Sequence, residues 1–146
     1  MQQPGLHNVQ PAGFLRRLMA SLYDWLLILA LMMVASVPLV APSNDAISPG
    51  NPLYRALLVA IAATFFIGFW RHNGQTLGMR AWRLKLTTTD GSTVSFTQAT
   101  LRFIYACISA LALGCGFLWV SIDHERLSWH DKWSGTRIRL LPKNQR

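Results

Sequence analysis

Two long stretches of this sequence contain no lysine or arginine, although 14 such residues occur in the chain. The first stretch runs from Leu18 to Tyr54 and the second from Phe103 to Glu125. A transmembrane helix needs about 20 consecutive residues that are mainly apolar, and both stretches contain a run of that length. Charged residues make up only 14% of the chain, against roughly 25% in soluble domains. The sequence therefore predicts an all-α integral membrane protein.

The apolar runs and basic connectors predict one membrane domain over residues 1–146. Its parts are a helix at about 14–40, an outer loop at 41–52, a helix at about 53–71, a cytoplasmic connector at 72–95, a hydrophobic segment at about 96–122 and a basic tail at 123–146. The first run is longer than the roughly 7–15 apolar residues of a signal peptide, so we expect a retained helix. Because basic residues concentrate on the cytoplasmic side, the N-terminus and the connector are predicted to lie inside.

The third hydrophobic segment leaves two alternatives open, so the chain has two or three transmembrane helices. Ser95 followed by Gln98 has the capping-box pattern, which predicts a helix start near Phe96. Residues 103–122 are uncharged but are interrupted by Gly-Cys-Gly at 114–116. A straight span would put the basic tail outside the cell, against the positive-inside rule. We therefore favour a re-entrant or strongly kinked segment with a cytoplasmic tail.

The connector also carries a short β pattern. Residues 82–86 (WRLKL) alternate apolar and basic side chains, and Asp90-Gly91 supplies a turn before a return strand at 94–96. An isolated hairpin is marginally stable in water. Residues 136–141 (TRIRLL) share the alternation and would add a third strand from the tail. The sequence thus predicts a small cytoplasmic β-hairpin-like element.

Small residues recur at every fourth position of the second predicted helix. They are Ala56, Ala60, Thr64 and Gly68. A stripe of small side chains on one face lets a neighbouring helix approach closely inside a membrane. We interpret the stripe as a helix-packing face, which would also permit a homo-oligomer or contact with another membrane protein. A matching face on the first helix is formed by Gly13, Ala20 and Ser21.

One acidic residue, Asp24, interrupts the first apolar run. It lies seven residues after Arg17, and this spacing of two helical turns puts both side chains on one face. An aspartate at a transmembrane helix centre costs roughly 2.5–3.5 kcal/mol on insertion scales, so such residues face the protein interior and are paired. We expect a cation beside Asp24, supplied by Arg17, by Arg102 or by a tail residue.

Several segments together resemble the RDD family of bacterial membrane proteins. They are GFLRRLMASLYD (13–24), NGQTLGMRAWRLKL (73–86), DG (90–91), Arg102 and WHDKWSGTRI (129–138). The family is named for one arginine and two aspartates, which the resemblance assigns to Arg17, Asp24 and Asp131. Arg102 joins them as a charged signature residue, while Met79 stands where many relatives have a basic residue. The resemblance implies a membrane protein, for which a role in transport is commonly suggested.

Other patterns in the sequence do not predict an enzyme, a metal site or a cofactor. His124 and Glu125 lack the second histidine of HExxH, because position 128 is serine. The segment around Gly74 and Gly78 lacks the Gly-Lys-Ser/Thr ending of a P-loop and is interpreted as a tight, polar turn. Cys107 and Cys115 form no redox or metal motif, and we expect them to be buried packing residues.

Two function classes remain open at this stage. In the first, the signature charges line the route of an ion or small solute through an oligomer in the bacterial inner membrane. In the second, they are clasps between helices, and the protein is a structural or partner-binding membrane module without transport activity. The net charge of +8 clusters beside the apolar runs, so the expected partner of these cations is the lipid bilayer and not nucleic acid.

Overall fold

The computed structural model describes residues 12–40, 50–112, 115–124 and 127–142. In chain order its elements are helix α1 (Phe14–Val40), helix α2 (Pro52–His72), helix α3 (Leu77–Ala81), strand β1 (Leu84–Thr88), helix α4 (Phe96–Leu111), helix α5 (Cys115–Leu118), a 3-10 turn (Trp119–Ser121), helix α6 (Trp129–Ser134) and strand β2 (Thr136–Leu140). The predicted class, an all-α membrane protein with a small β element, is confirmed.

Helices α1 and α2 are long and apolar enough to cross a membrane, over residues 14–39 and 52–72. Only 17% of the most apolar part of α1 and 6% of that of α2 is buried inside the protein. A helix that is apolar all round and belongs to a soluble protein would instead be buried in its core. Both helices coincide with the predicted ones at about 14–40 and 53–71. Most of the predicted outer loop, residues 41–49, lies outside the described part of the chain.

Helix α2 begins at a cap and contacts the end of α1 close to that point. The side chain of Asn51 accepts hydrogen bonds from the backbone N–H groups of Leu53 and Tyr54 at 3.0 and 3.3 Å, and Pro52 occupies the first helical turn. This cap and this proline explain why α2 begins here. The hydroxyl groups of Tyr54 and Ser36 lie 2.7 Å apart, which connects α2 to the last turns of α1.

The third hydrophobic segment does not form one continuous spanning helix. Helix α4 begins at the predicted capping box, in which Gln98 N–H donates to the Ser95 hydroxyl and Ser95 N–H donates to the Gln98 side chain. It ends at Leu111 after 16 residues, about 24 Å, which is shorter than the roughly 30 Å hydrocarbon core. The chain then returns through α5, and α6 packs alongside α4. Helix α4 is therefore not a full span by itself, and the side of the membrane on which the tail lies stays a prediction.

The two strands form an antiparallel pair in which Leu84 lies opposite Leu140 and Thr88 opposite Thr136. Residues 136–141 were expected to add a third strand to a hairpin that begins at 82–86, and strands from these two segments pair directly. The predicted return strand at 94–96 does not form, because Val94 is buried in the core and Ser95 begins α4. The apolar face of the sheet completes a core that also includes Trp70. We call α3, the two strands and α6 together the cap.

The stripe of Ala56, Ala60, Thr64 and Gly68 does not pack against α1, so the expected match with the small residues of α1 is wrong, and the stripe stays a predicted helix-packing face. All four residues are exposed, and no atom lies within 4 Å of a Cβ built at Gly68. Two aromatic residues at the end of α2 turn inward instead: the ring of Phe66 packs against Trp70 and against Phe103 of α4, with centroids 5.2 and 6.2 Å apart. Their packing directs the small residues outward.

The two cysteines also lie differently from the expectation. Cys107 and Cys115 are free and exposed, whereas the sequence pattern predicted buried packing residues. An apolar run is buried in a soluble core, but in a membrane protein part of it faces the surroundings of the helix. The outer face of α4 has this character, with exposed Ile104, Ile108 and Leu111.

Candidate functional site

Asp131, the third residue of α6, is a buried carboxylate that accepts from two arginines. Its Oδ2 receives a hydrogen bond from Arg17 Nη1 of α1 at 2.6 Å, and its Oδ1 receives one from Arg102 Nη1 of α4 at 2.5 Å. The backbone N–H of Ser128 donates to Oδ2 at 3.0 Å. All three charged residues are buried. We call Arg17, Arg102 and Asp131 the clasp, because they join α1, α4 and α6.

Further contacts extend the clasp to the sheet and to α2. Arg17 Nε donates to the carbonyl oxygen of Ala12 at 3.2 Å. Arg102 Nη1 also donates to the hydroxyl of Thr136, the first residue of β2, at 2.7 Å. The guanidinium carbon of Arg102 lies 5.3 Å from the centroid of the Trp70 ring of α2, within the range of a cation–π interaction. The clasp therefore holds both long helices, α4 and the cap in one arrangement.

The electrostatics of the clasp keep Asp131 ionised. Burial by itself raises the pKa of a carboxyl group, but the positive charges of Arg102 and Arg17 outweigh it and hold the pKa of Asp131 well below its usual range. Removing one partner from such a buried pair leaves an uncompensated charge, at a cost of about 3–5 kcal/mol. This cost comes from the charge that is left buried alone, so it measures the loss of a partner and not the net stability that the intact clasp contributes.

The neighbouring His130 is neutral. Burial first, and then the positive charge of Arg102, lower the pKa of His130 from 6.5 to about 3. The imidazole therefore adds no charge to the clasp near neutral pH.

We expect the stability of the protein to fall as the pH falls below about 6.5, since the unfolded chain then binds a proton that folded His130 does not bind. Between pH 6.5 and the pKa of folded His130, this proton adds at most about 1.4 kcal/mol per pH unit to the slope of the free energy of unfolding against pH. Unfolding curves at pH 7.5, 6.0 and 5.0 measure it, with His130→Asn as the comparison. Equal slopes for the wild type and the variant would show that His130 is not the titrating group.

Asp24 has different partners from those predicted. Its Oδ2 accepts from the hydroxyl of Thr76 at 2.5 Å, and its Oδ1 accepts from the backbone N–H of Gly78 at 2.8 Å. The Thr76 hydroxyl in turn accepts from Met79 N–H at 3.2 Å, which caps α3. Asp24 thus fixes the first turn of α3 against α1, where aspartate is favoured by the free N–H groups of a helix start.

The approach of α3 to α1 requires the glycine at position 78. A Cβ at Gly78 would overlap the carbonyl oxygen of Ala20 and would lie 2.9 Å from the carboxyl carbon of Asp24. Ala20 is itself buried. The small residue of α1 that was expected to match the stripe on α2 therefore packs against α3 instead.

The structure brings three of the four signature residues together and places the fourth apart. Arg17, Arg102 and Asp131 meet in the clasp, whereas the expected cation beside Asp24 is not found among the described residues. Sequence reasoning missed Thr76 and Gly78 as partners of Asp24. The signal was present in the segment NGQTLG, since a threonine just before a helix is a common N-cap.

A cavity of about 410 Å³ lies between α1, α2 and α4. Its wall includes Arg17, Arg102 and His130 at one side and Asp24 with Thr76 at another, and apolar side chains of the three helices form most of the remainder. Among residues 12–40, 50–112, 115–124 and 127–142, no group of three or more His, Cys, Asp or Glu side chains could hold a metal ion. The polar groups in the wall of the cavity are mainly hydrogen-bond donors, together with the carboxylate of Asp24.

Comparisons with known proteins match most of the chain. The model of the RDD family matches residues 11–135. YckC, an uncharacterised protein of Bacillus subtilis strain 168, is 29% identical over 139 residues, which cover 88% of this chain and 84% of that protein. No solved structure matches the chain. All members of the clasp and Asp24 fall within the matched range.

Proposed function

This chain belongs to the RDD family, and from that premise we propose that it is a structural or partner-binding membrane module in which Arg17, Arg102 and Asp131 act as a fixed clasp. One observation carries the proposal: both carboxylate oxygens of Asp131 are occupied by buried arginines from two different helices. Buried charges that pair with each other fix the relative positions of the helices that carry them. A passing ion would have to break at least one of these pairs before it could bind there.

The proposed topology is multi-pass, in the bacterial cytoplasmic membrane, with the N-terminus inside. Arg16 and Arg17 in the first turn of α1 and the basic residues of the connector support this orientation. The pairing of β1 with β2 supports the same side for the connector and the tail, since both strands belong to one sheet. Helix α4, which is too short to span, would then enter the membrane from the cytoplasmic side and return.

We expect single cysteines to report this topology in a variant that lacks Cys107 and Cys115. Cysteine at Gly50 should react with an impermeant maleimide in intact cells, because it lies in the predicted outer loop. Cysteines at Thr93 of the connector and at Lys132 of the tail should react only after the membrane is opened. All three positions are exposed on the protein, so burial does not protect them. Labelling of Lys132→Cys from outside would contradict the re-entrant arrangement.

A second candidate function, transport of an ion or small solute, is favoured by the position of Asp24 in the wall of the cavity. An ionisable residue within a membrane segment is a candidate for a transport role. Two long helices cannot enclose a path, so a transporter would have to assemble from several copies. The exposed stripe of small residues on α2 supports such an assembly.

Flux into liposomes separates the two functions. If the clasp is static and the protein does not transport, proteoliposomes should take up Na⁺, K⁺ and protons no faster than protein-free liposomes. Flux that Asp24→Asn abolishes, while the protein stays folded and Asp90→Asn retains full flux, would instead establish transport. Asp90 is a suitable control because it is exposed and lies outside the cavity. We also propose that the chain is not an enzyme, since its sequence shows no set of a nucleophile, a base and an orienting residue.

A further inference from the structure

The cavity between α1, α2 and α4 opens toward the membrane-facing surface. Its volume of about 410 Å³ falls within the range of about 300–1,000 Å³ that small-molecule sites occupy. Its wall includes Trp25 of α1 and Val59 of α2, and both residues are exposed. Most of the wall is apolar, which suits a hydrocarbon chain. A molecule dissolved in the bilayer could therefore enter between the two long helices.

Two residues that line this cavity each carry a buried N–H donor without an acceptor among the described residues. The donors are Nε of Arg102 and Nε1 of Trp70. Arg102 is 2% exposed and Trp70 is 8% exposed, so both donors are inside the protein. Buried donors in native structures nearly always have an acceptor, because a donor without one is destabilising. A bound molecule with acceptor oxygens would satisfy both donors.

The charge of this side of the cavity favours an anionic acceptor. The guanidinium groups of Arg17 and Arg102 share the single carboxylate of Asp131, which leaves an excess of one positive charge in the clasp. The remaining acid in the wall, Asp24, lies about two helical turns away from Arg17 and is bound to Thr76 and Gly78. Phosphate oxygens would complement the excess charge and accept from both donors.

We propose that the cavity binds one anionic phospholipid of the surrounding bilayer, with an acyl chain in the apolar part and phosphate oxygens at Arg102 and Trp70. The proposal goes beyond the clasp, because it uses donors of Arg102 and Trp70 that the clasp leaves unused. The bilayer is the source, since the cavity is open between two membrane helices. Arg102 and Trp70 then fix the headgroup, and the space between the helices holds the chain.

Lipid retention by the purified full chain tests the proposal. The protein is stripped in detergent, incubated with phosphatidylglycerol or with phosphatidylcholine of the same acyl chains, and analysed by native mass spectrometry. Trp70→Phe removes the indole N–H but keeps an aromatic ring beside Arg102. Ala106→Leu fills the apolar part of the cavity. Ala56→Leu, on the exposed stripe of α2, is the control for added volume. Thermal unfolding without lipid reports whether each variant is folded.

We expect the wild type and Ala56→Leu to retain one phosphatidylglycerol per chain and to discriminate against phosphatidylcholine. Trp70→Phe should lower the affinity for phosphatidylglycerol about tenfold, as expected for a lost hydrogen bond to a charged group, and Ala106→Leu should abolish retention. Equal retention of both lipids, or no effect of the two cavity variants while they remain folded, would overturn the proposal. Loss of dimers in Ala106→Leu with unchanged lipid retention would also overturn it, because a second copy would then occupy the cavity.

Discussion

Replacing Asp131 with alanine is expected to lower the free energy of unfolding by about 3–5 kcal/mol. The substitution leaves Arg17 and Arg102 buried without the carboxylate that both arginines share. Denaturant unfolding of the purified protein in micelles measures the change. Lys132→Ala is the matched control on the same helix, because the Lys132–Asp123 pair lies at the surface and should contribute little. An Asp131→Ala protein that unfolds at the wild-type denaturant concentration would contradict the clasp.

The identity of the partner of Arg17 can be tested in the same assay. The effects of Arg17→Ala and Asp131→Asn on the free energy of unfolding should be strongly non-additive in the double variant, since the two side chains are in direct contact. Arg17→Ala combined with Asp24→Asn should be close to additive, because Asp24 is bound to Thr76 and Gly78. Coupling between Arg17 and Asp24 in place of Asp131 would mean that the helices are arranged differently.

Replacing Gly78 with alanine is expected to destabilise the protein by about 1–3 kcal/mol, as overpacking does. The added Cβ would overlap a backbone oxygen of α1 at Ala20, and a backbone atom cannot move aside as a side chain end can. The helix α3 would have to shift, which would also lengthen the hydrogen bond from Gly78 N–H to Asp24. The loss should appear in the unfolding midpoint and in the amount of protein found in membranes.

The control for Gly78 is Gly68, another helical glycine. No atom lies within 4 Å of a Cβ built at Gly68, so Gly68→Ala should gain roughly 0.5–1 kcal/mol by restricting the unfolded chain. The two alanines therefore have expected effects of opposite sign. Equal effects would indicate that α3 does not approach α1 closely. A loss at Gly68 alone would indicate that the stripe on α2 is covered by another protein chain.

Features of the fold that depend on local sequence were accessible without the structure. Helices α1 and α2 follow from the length of their apolar runs, and α4 begins at Ser95 because the capping box is a local pattern. The two segments that form the sheet were also accessible, since residues 82–86 and 136–141 have the same alternation, but the sequence also predicted a strand at 94–96 that does not form. These features need only the chemistry of neighbouring residues, which a single sequence contains.

The choice of partners was not accessible in the same way. Asp131 meets Arg17 across 114 positions, and the charges of the sequence allowed Asp24 as a partner equally well. Helix spacing placed Arg17 and Asp24 on one face, but it could not reveal that α3 would occupy that face at Ala20. The stripe that includes Gly68 was ambiguous for a related reason: small side chains permit close packing but do not determine which neighbour approaches.

The pairing of β1 with β2 has a consequence for the order in which the protein assembles. Strand β1 ends at Thr88 and its partner begins at Thr136, so the sheet cannot form on the ribosome until the whole of α4, α5 and α6 has been made. The free-energy cost of closing a loop rises by only about 0.6 kcal/mol for each doubling of its length. The long separation of the two strands therefore costs little stability, and its main effect is that the sheet forms late. During synthesis Arg17 enters the membrane before its counter-ion Asp131 exists. Membrane insertion of α1 and α2 therefore precedes completion of the cap. Until Asp131 is made, Arg17 and Arg102 depend on water and lipid headgroups for their hydrogen bonds.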